Sequence, residues 1–168
     1  MKKIVFCFLF FIAFSIFADG VVQGPFKIPG SDSFIVVKKV NKIIDGESYP
    51  YLNLDVINSN GEGYTLDEYE HEGGEPKIES AFFVKDKSES SIYTIVSWLN
   101  IHRAERINAT YYQVFSYDVD ESGVYKLNTK ISNDKQLRGF DGDVQGESVT
   151  FSYKTAGDVR RYVKDKYN

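Results

Sequence analysis

The chain has 168 residues and a formal net charge of −4, with 24 acidic against 20 basic side chains. No stripe of Lys and Arg is present to neutralise phosphates, so the composition argues against nucleic acid as a partner. The same acidic balance disfavours a permanent position on an anionic membrane surface.

The first 18 residues have the pattern of a secretory signal peptide. A basic start at residues 1–3 precedes an almost unbroken apolar run at residues 4–17, and Ala18 supplies a small residue at the exit. The run is shorter than the ~20 residues that span a bilayer, so a retained anchor is the weaker alternative. We predict cleavage, a periplasmic location and no membrane insertion after cleavage. Cleavage removes Cys7, the only cysteine, so the mature chain must fold without disulfides or thiol chemistry.

Strand signals dominate residues 19–168, a length that suits a single β-rich domain. Along β-branched or alternating segments, successive side chains point to opposite sides of a sheet. In residues 91–99 the alternation places Ile92, Val96 and Trp98 on one face, with Tyr93 and Ile95 on the other. The predicted strands are residues 33–40, 49–57, 80–84, 91–99, 110–119, 124–127 and 148–153.

The period changes from strand to helix at the C-terminus. Thr155 and Asp158 have the spacing of a capping box, and Ala156, Val159 and Val163 fall on one helix face, together with Tyr162. The fold prediction is therefore mainly β, a two-layered antiparallel β-sandwich or open barrel with a short C-terminal helix.

A polar cluster between two predicted strands is the first candidate site. We expect a loop of about ten residues, and loops of that length are often binding loops. The candidate binding residues are Trp98, His102, Arg103, Arg106 and Tyr111, with the two rings supplying apolar area and the two arginines contacting an anion such as a carboxylate. A plain solvated loop is the competing interpretation. An unrecognised hydrolase using His102 would need a nucleophile motif that the sequence lacks, so no catalytic residue is assigned.

Residues 66–79 form an acidic stretch around His71, which is open to three interpretations: a mobile loop, a docking patch for a basic partner, or a metal site. Neighbouring side chains of an extended chain diverge, which disfavours the metal site. Residues 118–123 and 141–146 resemble the start of a calcium loop, but Thr129 and Ser152 stand where a bidentate glutamate is needed. Hairpin turns explain both stretches, and we predict no metal and no cofactor.

Several segments together resemble a known family. The strands "ESAFFVKD", "SIYTIVSW" and "TYYQVFSYDV", the turn "GFDG" and the closing "FSYKTAGDVRRYVKDK" are similar to the carbapenem intrinsic-resistance proteins of the CarG type, over about residues 80–168. The resemblance implies a periplasmic β-sandwich that protects a carbapenem producer without being a β-lactamase. It also implies self-association as a homodimer or a companion resistance protein, and it carries over no catalytic residues.

The expected function is thus non-enzymatic periplasmic protection. Two alternatives remain open: an immunity protein that binds and neutralises a toxin, and a small-ligand-binding periplasmic domain. The acidic stretch favours a basic toxin under the first alternative, in which association would weaken with salt.

Overall fold

The computed structural model describes residues 20–86 and 89–167, so the predicted signal peptide lies outside the described residues. These residues form ten strands, with a short helix and a 3₁₀ turn between the eighth and ninth strands and a helix after the tenth. Their bounds are β1 (Val21–Lys27), β2 (Phe34–Ile44), β3 (Glu47–Ile57), β4 (Gly63–Tyr69), β5 (Pro76–Asp86), β6 (Glu89–His102), β7 (Ile107–Val119), β8 (Tyr125–Leu127), α1 (Thr129–Ser132), a 3₁₀ turn (Lys135–Leu137), β9 (Arg138–Val144), β10 (Glu147–Val149) and α2 (Ala156–Tyr167).

The strands form two antiparallel sheets that pack face to face without closing into a barrel. The first sheet has the order β1-β2-β3-β4, and the second has the order β10-β9-β7-β6-β5. Strand β8 pairs with the last part of β7, beyond the stretch that pairs with β9. The predicted β-sandwich is confirmed.

Alternation along β3 and β6 supplies the core between the sheets. The predicted faces of β6 are confirmed, because Ile92, Val96 and Trp98 point into this core, whereas Tyr93 and Ile95 face the other way. The main contributors are Ile35, Val37, Leu52, Leu54 and Val56 from the first sheet and Ile78, Ile92, Val96, Trp98 and Tyr117 from the second.

A chain of buried hydroxyl groups crosses this core. The Tyr69 hydroxyl lies 2.8 Å from both the Thr94 hydroxyl and the Tyr117 hydroxyl. Tyr117 in turn donates a 2.6 Å hydrogen bond to the carboxylate of Asp67. Burial raises the pKa of both tyrosines, so both stay protonated and act as donors at neutral pH.

Helix α2 covers part of the outer face of the second sheet. Val159 and Val163 are buried there against Tyr93, Ile95 and Val114. Half of the predicted capping box is present: the Asp158 amide donates to the Thr155 hydroxyl at 3.3 Å. The Thr155 hydroxyl in turn donates a 2.6 Å hydrogen bond to the Asp158 carboxylate.

Some boundaries depart from the prediction. Strands β1, β4 and β9 were not predicted, and the last predicted strand, residues 148–153, is only the three-residue β10. The acidic stretch is not one loop, because its first part completes β4 and its last part begins β5. Only residues 70–75 connect the two sheets. Backbone pairing in β4 and β5 therefore orders most of this stretch, although its high charge suggested a mobile loop.

Candidate binding surface at one end of the sandwich

Four connections meet at the same end of the sandwich, which we call the hairpin end. They are the β2–β3 tip (residues 41–48), the acidic loop (residues 70–75), the β6–β7 turn (residues 103–106) and the β9–β10 turn (residues 145–146). Antiparallel pairing brings β2, β4, β6 and β9 to this end. The acidic stretch and the polar cluster, far apart in the sequence, therefore share one surface.

The β2–β3 tip extends beyond the rest of the first sheet. Ile44 pairs with Glu47, so the turn consists of Asp45 and Gly46 alone. Both have positive φ, 53° and 85°, which matches the tight two-residue turn that Asp-Gly favours. All residues of the tip are exposed, including Ile43, whose exposed fraction is 79 %, and Ile44 at 45 %. Among the large hydrophobic side chains that the structure describes, Ile43 has the highest exposed fraction.

The acidic loop is anchored to the second sheet. The indole Nε1 of Trp98 donates a 2.8 Å hydrogen bond to the carbonyl oxygen of Glu70. Gly74 lies so close to Leu99 that a Cβ there would be 2.3 Å from the Leu99 carbonyl oxygen. Gly73 similarly leaves room for the Asn100 side chain, which a Cβ would meet at 2.0 Å. Close packing thus holds the middle of the loop in place.

Ion pairs tie the acidic loop and β4 to the hairpin. Lys39 pairs with Glu75 and Lys42 pairs with Glu68. The hydrogen bond to Glu68 is the main reason that the pKa of Lys42 is raised. His71 contacts the Tyr49 ring edge-on, with the ring centroids 6.2 Å apart.

Within the described residues of the tip and the acidic loop, three carboxylates have neither an ion pair nor a side-chain hydrogen bond, whereas Glu47 accepts a hydrogen bond from the Tyr49 hydroxyl. In the described part of the chain, no ion pair reaches Asp45, Glu70 or Glu72. Asp45 and Glu70 are exposed, and so is Glu72. The part of the hairpin end made by the tip and the acidic loop therefore has a net negative charge close to two exposed isoleucines.

The β6–β7 connection is a four-residue turn, so the expected ten-residue loop is wrong. Strand pairing continues to His102 and Ile107, which lie opposite each other. Arg106 has a φ of 54°, and its carbonyl oxygen accepts a 2.8 Å hydrogen bond from the Gln145 amide. This hydrogen bond joins the turn to the β9–β10 turn.

The five candidate binding residues separate into two groups. His102, Arg103 and Arg106 are exposed at the hairpin end. Trp98 is buried in the core, with an exposed fraction of 2 %, so it offers no apolar area to a ligand. Tyr111 is half-buried between Trp98 and Phe140, at ring-centroid distances of 6.0 and 5.0 Å. Trp98 and Tyr111 therefore pack beneath the hairpin end and are not part of its exposed surface. The structure does not bring the five side chains together in one pocket.

An open cleft of about 700 Å³ lies beside the hairpin end, where β1 approaches the start of β5. Its apolar lining includes Val22 and Leu99, and the exposed fraction of Leu99 is 57 %. The ion pairs Lys39–Glu75 and Lys77–Glu79 also lie along the cleft. Sequence reasoning missed this cleft because it joins residues from six separate segments.

One aspartate of each calcium-like stretch is used within the fold. Asp120 accepts hydrogen bonds from the amides of Ser122 and Val124 and pairs with Lys126 at 2.6 Å. Asp141 accepts a hydrogen bond from the amide of Phe151 and pairs with Lys154. Across residues 20–86 and 89–167, no three His, Cys, Asp or Glu side chains are placed to hold a metal ion.

No helix in the described ranges is both long enough and apolar enough to cross a membrane. Comparisons of the chain with models of protein families, with curated proteins and with solved structures found no match. The resemblance to carbapenem intrinsic-resistance proteins therefore stays a prediction.

Proposed function

We propose that the chain is a non-enzymatic, exported protection protein that acts by binding, and that the hairpin end is its binding surface. The observation that carries this proposal is the exposure of Ile43 and Ile44 on a tight, ordered hairpin. Full burial of an exposed isoleucine side chain contributes about 1.5–3 kcal/mol, so Ile43 gives up most of this energy in water, and Ile44, which is 45 % exposed, gives up less. A binding partner that covers the tip would recover this energy.

The resemblance to carbapenem intrinsic-resistance proteins suggests that the protein protects against a carbapenem. Under this proposal the chain protects by covering a vulnerable protein in the periplasm, and no hydrolytic group is required. Neutralising a specific toxin is the alternative within the same binding mode. The acidic loop favours that alternative where the toxin is basic.

The first test is carbapenem susceptibility of a sensitive host that expresses the full chain. Controls are the same chain without residues 1–18 and the exported double variant Ile43→Ser, Ile44→Ser. Protection by the exported wild type, and by neither of the other two, is the expected result. An exported Leu127→Ser variant is the matched control, because Leu127 is exposed to 44 % at the opposite end.

The outcome that would refute the proposal is equally specific. If the double variant is exported, folded and as protective as the wild type, the hairpin end is not the binding surface. If the wild type gives no protection against a carbapenem, the same comparison is made with growth of the native host challenged by neighbouring strains. Unchanged growth of a deletion strain there, too, would overturn the protective role.

A second candidate function rests on the open cleft. Its size is in the range of small-molecule sites, and Leu99 and Val22 offer apolar contact between two ion pairs. A carbapenem titration followed by amide chemical shifts tests this candidate. Saturable shifts at Ser97, Leu99 and Lys77 support small-ligand binding, and an unchanged spectrum at millimolar drug argues against it.

A further inference from the structure

We propose that the partner of the hairpin end is a protein surface with a basic rim around an apolar socket, which receives the β2–β3 tip. This inference rests on the proposed function, since it identifies what the same surface binds. The tip supplies the apolar contact, and the carboxylates around it select the charge of the partner.

The tip is suited to insertion into a socket. Its backbone is fixed by continuous pairing from Lys39↔Leu52 to Ile44↔Glu47 and by the two-residue turn at Asp45. A preformed hairpin loses little conformational entropy on binding, and isoleucine has few rotamers to lose. Ile43 lies on the same face of β2 as Ile35 and Val37, but beyond the point where the second sheet covers that face.

Charge around the tip defines the rim of the partner. The tip and the acidic loop together carry one ammonium group, on Lys42, and five carboxylates, on Asp45, Glu47, Glu70, Glu72 and Glu75. Lys42 is already neutralised by Glu68 on β4, and Lys39 neutralises Glu75. The negative charge that remains near the isoleucines attracts lysine and arginine and repels acidic groups.

The β6–β7 and β9–β10 turns do not reverse this charge. Arg103 and Arg106 are accompanied by Glu105 in the same turn, and Asp143 and Glu147 flank the β9–β10 turn. Acidic side chains therefore border the tip on the side of the first sheet, and no excess of basic ones borders it on the side of the second.

Two other occupants fit this surface less well. An anionic lipid surface would meet the carboxylates before the tip reached the acyl chains, so a membrane is disfavoured. In a two-fold dimer made through the tips, the same acidic patch would face its own copy, which places like charges opposite each other. A basic protein surface avoids both conflicts.

The experiment is site-specific photo-crosslinking of the full chain in its native host. A benzophenone amino acid replaces Ile43 in one strain and Leu127, at the opposite end, in the control strain. Cross-linked products are digested, and the segment joined to the probe is identified by mass spectrometry. Crosslinking is repeated in periplasmic extract at about 50 and about 300 mM NaCl, between which the Debye length falls from roughly 14 Å to roughly 6 Å.

The expected result is a protein adduct at position 43 that is absent at position 127, with the probe joined to a segment rich in Lys and Arg. Its yield should fall several-fold at the higher salt concentration, and also in a Glu70→Gln, Glu72→Gln background. Adducts only to lipid, only to a second copy of the chain, or to an acidic segment overturn the inference. So does a yield that is indifferent to both salt and the two glutamine substitutions.

The crosslinking result and the susceptibility of the Ile43→Ser, Ile44→Ser variant together distinguish a failure of this inference from a failure of the proposed function. Loss of protection in the Ile43→Ser, Ile44→Ser variant, combined with adducts to lipid or to an acidic segment, overturns the partner class and leaves the binding function standing. Full protection by that variant overturns the proposed function itself, whatever the adducts are.

Discussion

The indole nitrogen of Trp98 donates a 2.8 Å hydrogen bond to the carbonyl oxygen of Glu70, and this contact connects the centre of the core to the acidic loop. Trp98 is the only tryptophan in the chain, and its ring is tilted by 42° against that of Tyr111, with the centroids 6.0 Å apart. A buried side chain with a single polar atom thus positions a loop whose carboxylates face solvent. The core and the candidate binding surface are consequently coupled.

Replacing Trp98 with Phe tests this coupling. The variant keeps an aromatic ring but loses the donor to Glu70 and some volume, so we expect a loss of about 1–3 kcal/mol in the free energy of unfolding. We also expect faster amide hydrogen exchange across residues 70–75. Ile92→Val, which removes volume from the same core near the opposite end of β6, is the control. Equal exchange rates in the two variants would show that Trp98 does not anchor the loop.

Tyr117→Phe tests the buried hydroxyl network. The substitution leaves the Asp67 carboxylate without the 2.6 Å hydrogen bond that Tyr117 donates and removes a neighbour of the Tyr69 hydroxyl. We expect a loss of about 1–3 kcal/mol, measured by urea denaturation. Tyr49→Phe is the control, because its hydroxyl contacts the exposed Glu47 and should change stability by less than about 0.5 kcal/mol. Similar losses in both variants would contradict a special role for burial.

Most of the fold could be predicted because β3 and β6 alternate cleanly. Each of these strands has a neighbour on both sides in its sheet, so each of its faces meets a defined environment. The alternation of β6 even separates the residues that face the core between the sheets from those that face α2. Strand β9, "RGFDGDV", could not be predicted, because two glycines and two aspartates interrupt any apolar alternation. Its place is fixed by pairing with β7, which no local pattern records.

The candidate site was less predictable than the fold. Ile43 and Ile44 appear in the sequence as ordinary continuations of an apolar strand. Their exposure depends on where the second sheet ends, a property of packing between distant segments. The Asp45-Gly46 pair, a strong signal for a tight hairpin, could have indicated the tip. Nothing local could have indicated that the tip lies beside the acidic loop.

Asp134 should make the attachment of α2 dependent on pH. Its partial burial alone would raise the pKa of its carboxyl group. However, hydrogen bonds from Lys166, Tyr162, the Gln136 amide and Tyr167 hold that pKa well below its usual value. A carboxyl group with a lowered pKa in the folded state stabilises the fold above the unfolded pKa of about 4. That contribution is lost as the pH falls through the folded pKa.

We therefore expect Asp134→Asn to lower the free energy of unfolding at pH 7 by about 1.5–3 kcal/mol, since it removes hydrogen bonds to a charged group. The difference from the wild type should shrink progressively below about pH 4, because the Asp134 carboxyl group of the unfolded chain takes up a proton there, whereas that of the folded chain does so only at a lower pH. Denaturation curves between pH 7 and acid measure it. Asp165→Asn, on the exposed face of α2, removes the same charge and should have little effect. A difference that is independent of pH would exclude the electrostatic explanation.

Arg160 shields the free edge of strand β5. Strand β5 is the last in its sheet, and the Arg160 guanidinium donates to the Phe83 carbonyl oxygen from two nitrogens, each 3.4 Å away, while lying 4.7 Å from the centre of the Phe82 ring. Exposed edge strands pair readily with other chains, and a charged residue over the edge opposes this. We expect Arg160→Ala to associate in a concentration-dependent manner, detected by sedimentation velocity.

Arg161→Ala is the matched control for this last prediction. Arg161 is the next residue of α2 and carries the same charge. Its side chain is exposed to 76 % and forms a 3.7 Å ion pair with Asp158. If both variants associate equally, the loss of a positive charge causes the association, and exposure of the β5 edge does not. Association of Arg160→Ala alone would assign the effect to the edge of β5, because Arg160 is the one of the two arginines that contacts this strand. A monomeric Arg160→Ala at every concentration would mean that the bulge between Ile78 and Ser80, together with Gln23 bonded to the Ile78 carbonyl, is sufficient to protect the edge.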